Sequence, residues 1–338
     1  MRSDIRDLPR GITLGRGSVA SATVVGHNAV MRKLGLLFIS FLPFHPVNAQ
    51  APNASATVAP TFRFIEVQPD VKLEVLDWGG SGRSVILLPG LGDTTHVFDS
   101  FAVKLAANFH VYGITPRGFG RSSAPPAEPS NYSASRLGDD VAAVISTLKI
   151  KRPVLVGHSV AGEVLSAIGT HHPDTVSALI YIDAGYAYAL YDKAHGDLVL
   201  DSIALRNHLA QVHLGPLPRN PKELDEILAD VKHVEEELQQ RKEDLSQISP
   251  PGPIENPYSV ALLDGEEQFT QIGLPVLAIF NVPHSPAFRR TMENQVHAFE
   301  VQVPQARIIR IENADHYLFQ SKEAEVLRDV NDFIEGLK

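Results

Sequence analysis

The sequence contains no cysteine among its 338 residues. This absence excludes disulfide bonds, a thiol nucleophile, cysteine-ligated metal sites and a lipid-modified cysteine at the N-terminus. It does not exclude an oxidising compartment, because proteins without disulfides also occur there.

An excess of basic residues is also missing. The chain has 30 Lys and Arg against 39 Asp and Glu, which gives a formal net charge of −9. Nucleic-acid-binding proteins usually carry basic patches, and no cluster of Lys and Arg with interleaved aromatic residues occurs here, so nucleic acid is not an expected partner. The length suffices for one large α/β domain, with or without an inserted lid.

An apolar run at residues 34–44 is too short for a comfortable membrane span. It follows the basic segment 31–33 and precedes a small-x-small site that ends at Ala49, which is the pattern of a signal peptide. We therefore predict a signal peptide over residues 31–49 and a secreted or periplasmic protein, with no stable membrane span after signal removal. The alternative is a disordered N-terminal tail that contains an accidental apolar run.

This prediction leaves residues 1–30 in front of a signal peptide, which is an unusual position. We interpret residues 1–30 as a mis-called extension, with translation starting at Met31. Residues 50–60 are rich in small residues and proline, and we interpret them as a flexible linker.

From residue 61 onward, short apolar segments alternate with helical segments, which predicts a mostly parallel, doubly wound α/β sheet. A continuously apolar segment such as 84–90 is typical of a strand that is buried on both faces. The predicted strands are 62–68, 72–78, 84–90, 110–118, 153–159, 177–185, 275–281 and 306–316.

The alternation stops between residues 186 and 272, where no convincing buried strand occurs. This segment includes a charged helical stretch, 221–248, with one stripe of apolar residues. We predict that 186–272 is a helical lid inserted into a core formed by 61–185 and 273–338, with the stripe covering a pocket. A coiled-coil partner for the stripe is the alternative.

Residues 153–164, PVLVGHSVAGEV, place Ser159 between a predicted buried strand and a predicted helix. Small neighbours permit a tight, strained turn that exposes the serine hydroxyl at the end of the sheet. Backbone N–H groups at the start of the helix can hold a negatively charged oxygen there. The alternative is a serine that only caps the helix.

This segment resembles the Gly-x-Ser-x-Gly motif of the α/β-hydrolase family, with Ala161 at the second glycine position and Gly162 next to it. The segment LLPGLG at 87–92 is similar to the loop that forms half of the family's oxyanion hole. It has Pro89 where the family usually has histidine, and a backbone donor depends little on this side chain.

The segment TPRGFGRS at 115–122 resembles the family's Asp-x-Arg-Gly-x-Gly-x-Ser turn, with Thr115 in place of the aspartate. We interpret this turn as structural, with Arg117 bracing nearby carbonyl or carboxylate groups. The resemblance covers residues 61–338 and implies the α/β-hydrolase fold.

The resemblance implies Ser159 as the nucleophile and His316 as the base that takes its proton. His316 ends the segment ENADH at 312–316, between a predicted strand and the last helix, which is where the family places its histidine. The backbone N–H groups of Leu91 and Val160 are implied as the oxyanion hole.

The acid of the triad follows the seventh strand in most of the family, but residues 280–285 contain no carboxylate. Some members carry the acid after the sixth strand, where this chain has Asp183, and we predict Asp183 as the acid. The alternative is that Asp183 only anchors the start of the lid. Asp315 is not expected to orient His316, because adjacent residues in an extended strand rarely form this contact.

The implied function is a serine hydrolase that cleaves a carboxylic ester or related acyl bond of a small molecule, without a cofactor or metal. Tyr186 and Tyr188 are predicted to bind substrate, with ordinary lid packing as the alternative. A serine at position 159 argues against epoxide hydrolase or haloalkane dehalogenase chemistry, for which the family uses aspartate.

Two groups of alternatives remain open at this point. One is an amidase, lactonase, C–C hydrolase or acyltransferase that uses the same triad. The other is a non-catalytic ligand-binding protein on a hydrolase scaffold. Nothing in the sequence predicts the oligomeric state.

Overall fold

A computed structural model describes residues 59–214, 221–245 and 254–338. The predicted extension (1–30) and signal peptide (31–49) lie outside the described residues. The predicted linker (50–60) also lies outside them, apart from its last two residues.

Eight strands form one sheet: β1 (Thr61–Gln68), β2 (Val71–Gly79), β3 (Ser84–Leu88), β4 (His110–Ile114), β5 (Val154–His158), β6 (Ala178–Ile182), β7 (Val276–Asn281) and β8 (Ala306–Ile311). Their order in the sheet is β1-β2-β4-β3-β5-β6-β7-β8. The pairs β1–β2 and β2–β4 are antiparallel, and the remaining pairs are parallel. The predicted mostly parallel sheet is confirmed.

The helices of the described residues are α1 (Asp99–Leu105), α2 (Pro129–Tyr132), α3 (Ala134–Thr147), α4 (Ala161–His171), α5 (Leu198–Leu214), α6 (Pro221–Leu245), α7 (Pro257–Leu263), α8 (Pro286–Gln302), α9 (Leu318–Ser321) and α10 (Glu323–Glu335). Short 3-10 turns occupy Thr95–Phe98 and Pro173–Thr175. The Ser133 hydroxyl accepts a hydrogen bond from the Arg136 N–H and caps the start of α3. A serine oxygen at this position satisfies one of the free N–H groups of the first turn.

Successive residues of the central strands pack on opposite faces of the sheet, since strand side chains alternate. In β3, Ile86 and Leu88 join a core cluster that includes side chains of α3, α4 and α8. Val85 and Leu87 join a second cluster that includes side chains of α1 and α10. Helices therefore cover both faces, which is the doubly wound arrangement that the sequence predicted.

The segment between β6 and β7 carries α5, α6 and α7, and its described residues form no strand. The apolar stripe of α6 is exposed, with Leu228 at 64% exposure and Leu238 at 53%, so this stripe does not cover a pocket as expected. The division into a core and a lid at residues 186–272 stays a prediction. No helix within the described ranges is both long and apolar enough to span a bilayer.

The turn after β4 is tied to α3 by Arg117, whose side chain is fully buried. Its Nε and Nη2 atoms donate to the two carboxylate oxygens of Asp140 at 2.7 and 2.6 Å. Nη1 donates to the carbonyl of Asn131 at 3.2 Å. This two-pronged contact compensates both charges for their burial and holds the loop in place.

Helix α4 approaches the backbone that follows β6 so closely that one position requires glycine. A Cβ atom on Gly162 would overlap the carbonyl oxygen of Ala184. The preceding residue, Ala161, tolerates a methyl group although it is buried. The close approach thus falls one residue beyond the usual second glycine of the motif.

Substitution of Gly162 by alanine is expected to lower the free energy of unfolding by about 1–3 kcal/mol, because the added methyl group forces the helix away from Ala184. Urea denaturation of the purified protein measures this change. Gly273→Ala is the control, since a Cβ there would meet no atom within 4 Å. Equal loss of stability in both variants would contradict the close-packing explanation.

Candidate active site

Ser159 lies in the turn between β5 and α4, and its backbone φ is +54°. A residue with a side chain is strained in this left-handed region, so the surroundings must hold it there. Gly90 contributes to this, because a Cβ at Gly90 would lie 3.0 Å from both the Ser159 Cβ and the His158 Nδ1. The missing side chain at Gly90 lets the β3 loop lie directly against the serine.

The structure brings Ser159, His316 and Asp183 together. The Ser159 Oγ lies 2.9 Å from the His316 Nε2, and the His316 Nδ1 lies 2.7 Å from the Asp183 Oδ2. The Asp183 side chain is buried, whereas the His316 side chain is about half exposed. Asp315, by contrast, is exposed, and its backbone N–H donates to Ser321.

Asp183 follows β6 and has a positive φ of 45°. Its Oδ1 accepts hydrogen bonds from the Tyr186 hydroxyl at 2.7 Å and from the Asn281 N–H at 3.2 Å. Asn281 ends β7, so the strand that carries the acid in most of the family here supplies a backbone donor. The two donors on Oδ1 leave Oδ2 directed at the His316 ring.

Tyr186 is predicted to bind substrate, and in the structure its hydroxyl donates a hydrogen bond to the Asp183 carboxylate. Burial and the Asp183 carboxylate both raise the pKa of Tyr186, so the phenol keeps its proton and remains a donor. Tyr188 lies next to Tyr186, with 6.1 Å between the ring centroids. Burial raises the pKa of Tyr188 well above its usual value.

The side chain of His158, the residue before Ser159, packs against the loop that carries His316. Its ring lies 4.6 Å from the His316 ring, and its Nε2 lies 3.0 Å from the His316 carbonyl oxygen. The carbonyl can only accept, so the Nε2 carries the proton. Burial and the nearby His316 lower the pKa of His158 to about 4, which keeps the ring neutral.

The position of the His158 ring follows from the alternation of side chains between the two faces of β5. His158 ends this strand, and its ring packs on the face of the sheet that also carries Tyr317 and Phe319. The loop that holds His316 crosses the same place. His158 therefore supports the backbone of His316 through the hydrogen bond between its Nε2 and the His316 carbonyl oxygen.

Among the described residues, the N–H groups of Leu91 and Val160 donate to no backbone carbonyl. Val160 caps the N-terminus of α4, where the helix dipole favours a negative charge. Leu91 follows β3, which pairs directly with β5. Both predicted oxyanion donors thus lie at the carboxyl ends of neighbouring strands and remain available for a ligand.

An apolar cavity adjoins this turn and contains about 470 Å³ of empty space, part of it open to solvent. Gly90 and Val160 belong to its wall, so the cavity starts beside the two free N–H groups. Tyr186 and Tyr188 do not line it. Its other wall residues include Leu73, Leu88, Pro89, Ile114, Phe119, Leu137, Asp140, Val141, Glu163, Val164 and Leu262.

Asp201, His233 and Glu237 place possible metal-ligand atoms within 4.8 Å of one another on α5 and α6. The sequence indicated no such set, because α5 and α6 come together only in the fold. Asp201 already accepts hydrogen bonds from the Tyr191 hydroxyl, the Gln268 amide and the Asp197 N–H. Burial and Asp201 raise the pKa of Glu237 to about 8, so protonated Glu237 relieves the repulsion between the two carboxyl groups.

Residues 83–234 match the model of the family described as alpha/beta hydrolase fold. The strand order and the turn at Ser159 agree with this match. The chain has the α/β-hydrolase fold. The implied fold is thereby confirmed, whereas the roles of the individual site residues stay predictions.

Two curated relatives that match part of this chain are named for different hydrolytic reactions. A fluoroacetate dehalogenase from Burkholderia sp. is 32% identical over 34% of this chain and 38% of its own length. A 2-(acetamidomethylene)succinate hydrolase from Mesorhizobium japonicum is 30% identical over 31% of this chain and 36% of its own. The chain thus matches only about a third of each relative's length.

Among solved structures, epoxide hydrolase A from Mycobacterium thermoresistibile is similar to this chain with a TM-score of 0.55. The alignment covers 83% of this chain and 99% of the other, at 18% sequence identity. This likeness shows the fold. The named relatives are hydrolases of several kinds.

The buried, neutral state of His158 predicts a loss of stability in acid. The folded pKa of about 4 lies below the unfolded value of about 6.5, so the unfolded chain binds the proton first. This part of the stability is present above about pH 6.5 and is lost as the pH falls towards about 4. It amounts to about 2 kcal/mol between about pH 7.5 and pH 5.

Urea denaturation of the wild type and of His158→Gln across this range checks the prediction. Glutamine keeps an N–H donor for the His316 carbonyl but does not titrate. The wild-type free energy of unfolding should fall more steeply with acid than that of the variant. Parallel curves would show that His158 titrates normally in the fold.

Proposed function

We propose that this protein is a serine hydrolase that cleaves a carboxylic ester or a related acyl bond through an acyl-enzyme intermediate. The observation that carries the proposal is the unbroken chain of contacts from Ser159 through His316 to Asp183. A serine hydroxyl at its ordinary pKa is a poor nucleophile, and an imidazole within hydrogen-bond reach removes this limitation.

In the first half of the proposed reaction, the Ser159 Oγ attacks the carbonyl carbon and its proton passes to the His316 Nε2. The carbonyl π electrons move to the oxygen, which the N–H groups of Leu91 and Val160 stabilise. The bond to the leaving alcohol then breaks, and His316 returns the proton to the alcohol oxygen. The acyl group remains bound to Ser159 as an ester.

In the second half, a water molecule attacks the acyl carbon while His316 takes one of its protons. The C–O bond to Ser159 breaks, the carboxylic acid leaves, and the proton returns to the serine oxygen. The sum is ester plus water giving acid plus alcohol. Asp183 holds the Nδ1–H tautomer of His316 and balances the imidazolium charge that forms in each half.

The identity of the nucleophile separates this proposal from the chemistry named for the dehalogenase and epoxide hydrolase relatives. Displacement of a halide or opening of an epoxide by a serine would leave an ether on Ser159. An ether has no carbonyl carbon for water to attack, so the enzyme could not turn over. Attack of Ser159 on an acyl carbon leaves an ester, which water can cleave.

Covalent labelling tests the nucleophile without knowledge of the substrate. The chain from Gln50 onward should react with a fluorophosphonate probe at one serine, because His316 activates Ser159 towards phosphorus as it does towards carbon. Intact-mass and peptide mass spectrometry would locate the label. Ser159→Ala should remain folded and unlabelled, and labelling of neither protein would refute the proposal.

Asp183→Asn should lower kcat for p-nitrophenyl acetate by about 10³- to 10⁴-fold, since the amide can no longer hold the correct tautomer of His316. Asp315→Asn, next to the base in the sequence, is the matched control and should retain nearly full activity. Steady-state kinetics on both variants measures the difference. Near-normal turnover by Asp183→Asn would place the acid elsewhere.

A further inference from the structure

Glu163 lies on α4, one helical turn beyond Ser159, and is completely buried. Neither of its carboxyl oxygens has a hydrogen-bond partner among the described residues. Buried polar side chains are nearly always hydrogen-bonded, so a buried carboxyl group with both oxygens unengaged requires a reason. The proposed reaction mechanism does not use this residue.

Glu163 lies on the face of α4 that borders the cavity. Val160, Glu163 and Val164 are spaced at i, i+3 and i+4, so they share one face of the helix, and all three line the cavity. Most of the remaining wall is apolar. Glu163 is therefore one of two acidic residues in a mostly hydrophobic wall that begins beside the Val160 N–H.

The other carboxyl group of the wall, Asp140, is not available to a ligand in the same way. Both of its oxygens accept hydrogen bonds from Arg117. Arg117 is in turn fully engaged with Asp140 and the Asn131 carbonyl. The wall thus contains one satisfied carboxylate and one carboxyl group without a partner.

The charge state of Glu163 follows from its surroundings. Burial raises its pKa well above the usual value, and the carboxyl groups of Glu266 and Glu267 raise it further. Burial also raises the pKa of Glu266 to about 8. Burial, together with nearby groups that include Glu163 and Glu266, raises the pKa of Tyr188, so Tyr188 keeps its phenolic proton. These effects favour the neutral, protonated form of Glu163, which carries an O–H donor.

We propose that Glu163 determines specificity by donating its carboxyl O–H to an acceptor oxygen in the acyl part of the substrate. The substrate class is then an ester or related acyl compound whose acyl chain carries an ether, hydroxyl or carbonyl oxygen. The inference rests on the proposed serine hydrolase function. Four residues of helix span about 6 Å, so the acceptor lies a few bonds from the reacting carbonyl carbon.

Matched p-nitrophenyl esters test this directly. Hexanoate, 4-oxahexanoate and 5-oxahexanoate esters have nearly the same length, but only the last two offer an ether oxygen. The measured quantity is the ratio of kcat/KM for each oxa ester to that for hexanoate. The wild type should show a ratio about tenfold higher than Glu163→Met, which keeps the side-chain length but removes the donor.

Glu163→Gln separates the hydrogen bond from the shape of the side chain. Glutamine retains a neutral donor, so its ratio should stay within about threefold of the wild-type value. Glu266→Gln is the matched control, because Glu266 is also buried but does not line the cavity. At about pH 6, where Glu266 is protonated and as neutral as the glutamine that replaces it, this control should leave the ratio unchanged.

The pH dependence gives a readout that a purely structural role would not move. Deprotonation of Glu163 removes the donor, so the wild-type ratio should fall as the pH rises into the alkaline range. The ratio for Glu163→Gln should stay constant over the same range. Thermal unfolding and fluorophosphonate labelling of every variant establish that each is folded and has an intact nucleophile.

The outcomes distinguish the two levels of the argument. Intact labelling with the same ratio in the wild type and in Glu163→Met would overturn the role of Glu163 and leave the serine hydrolase function standing. Absence of labelling in the folded wild type would overturn both. A ratio that falls in Glu163→Met, persists in Glu163→Gln and declines with rising pH only in the wild type would support the proposal.

Discussion

The strained turn at Ser159 is the constraint on which the rest of the site depends. A serine at φ +54° is stable only where the surrounding packing leaves no alternative. Two glycines provide that packing: Gly162 lets α4 lie against the Ala184 carbonyl, and Gly90 lets the β3 loop lie against the serine. Because α4 starts directly after the turn, the same constraint sets the position of the Val160 N–H and of the cavity wall beyond it.

The turn is not an isolated case of strain in this molecule. Asp183 after β6 and Asn313 after β8 also have positive φ values, of 45° and 54°. All three residues lie at the carboxyl ends of parallel strands. The chain turns sharply there, and this turn brings the side chains of the three loops close together. The hydrogen bonds of His316 with Asp183, and of His158 with the His316 carbonyl, connect these loops to one another.

Features that depend on local pattern were predictable from the sequence. The continuous apolar segments located the parallel strands, and the small residues around Ser159 located the turn. Features that depend on where side chains meet in space were not. The inward orientation of His158, the contact of Tyr186 with Asp183 and the exposure of the α6 stripe all arise from tertiary packing. Glu163 lies in a helix whose composition did not predict a cavity beside it.

The contacts of Asp183 link its carboxylate to the segment between β6 and β7. Tyr186, which donates to Asp183, is already part of the loop that leads towards α5. The first residues of the insertion thus belong functionally to the core. Exchange of this segment between related proteins, whether by recombination or by design, has a fixed boundary. The crossover must fall after Tyr186, or the Asp183 carboxylate loses one of the two donors that hold its Oδ1.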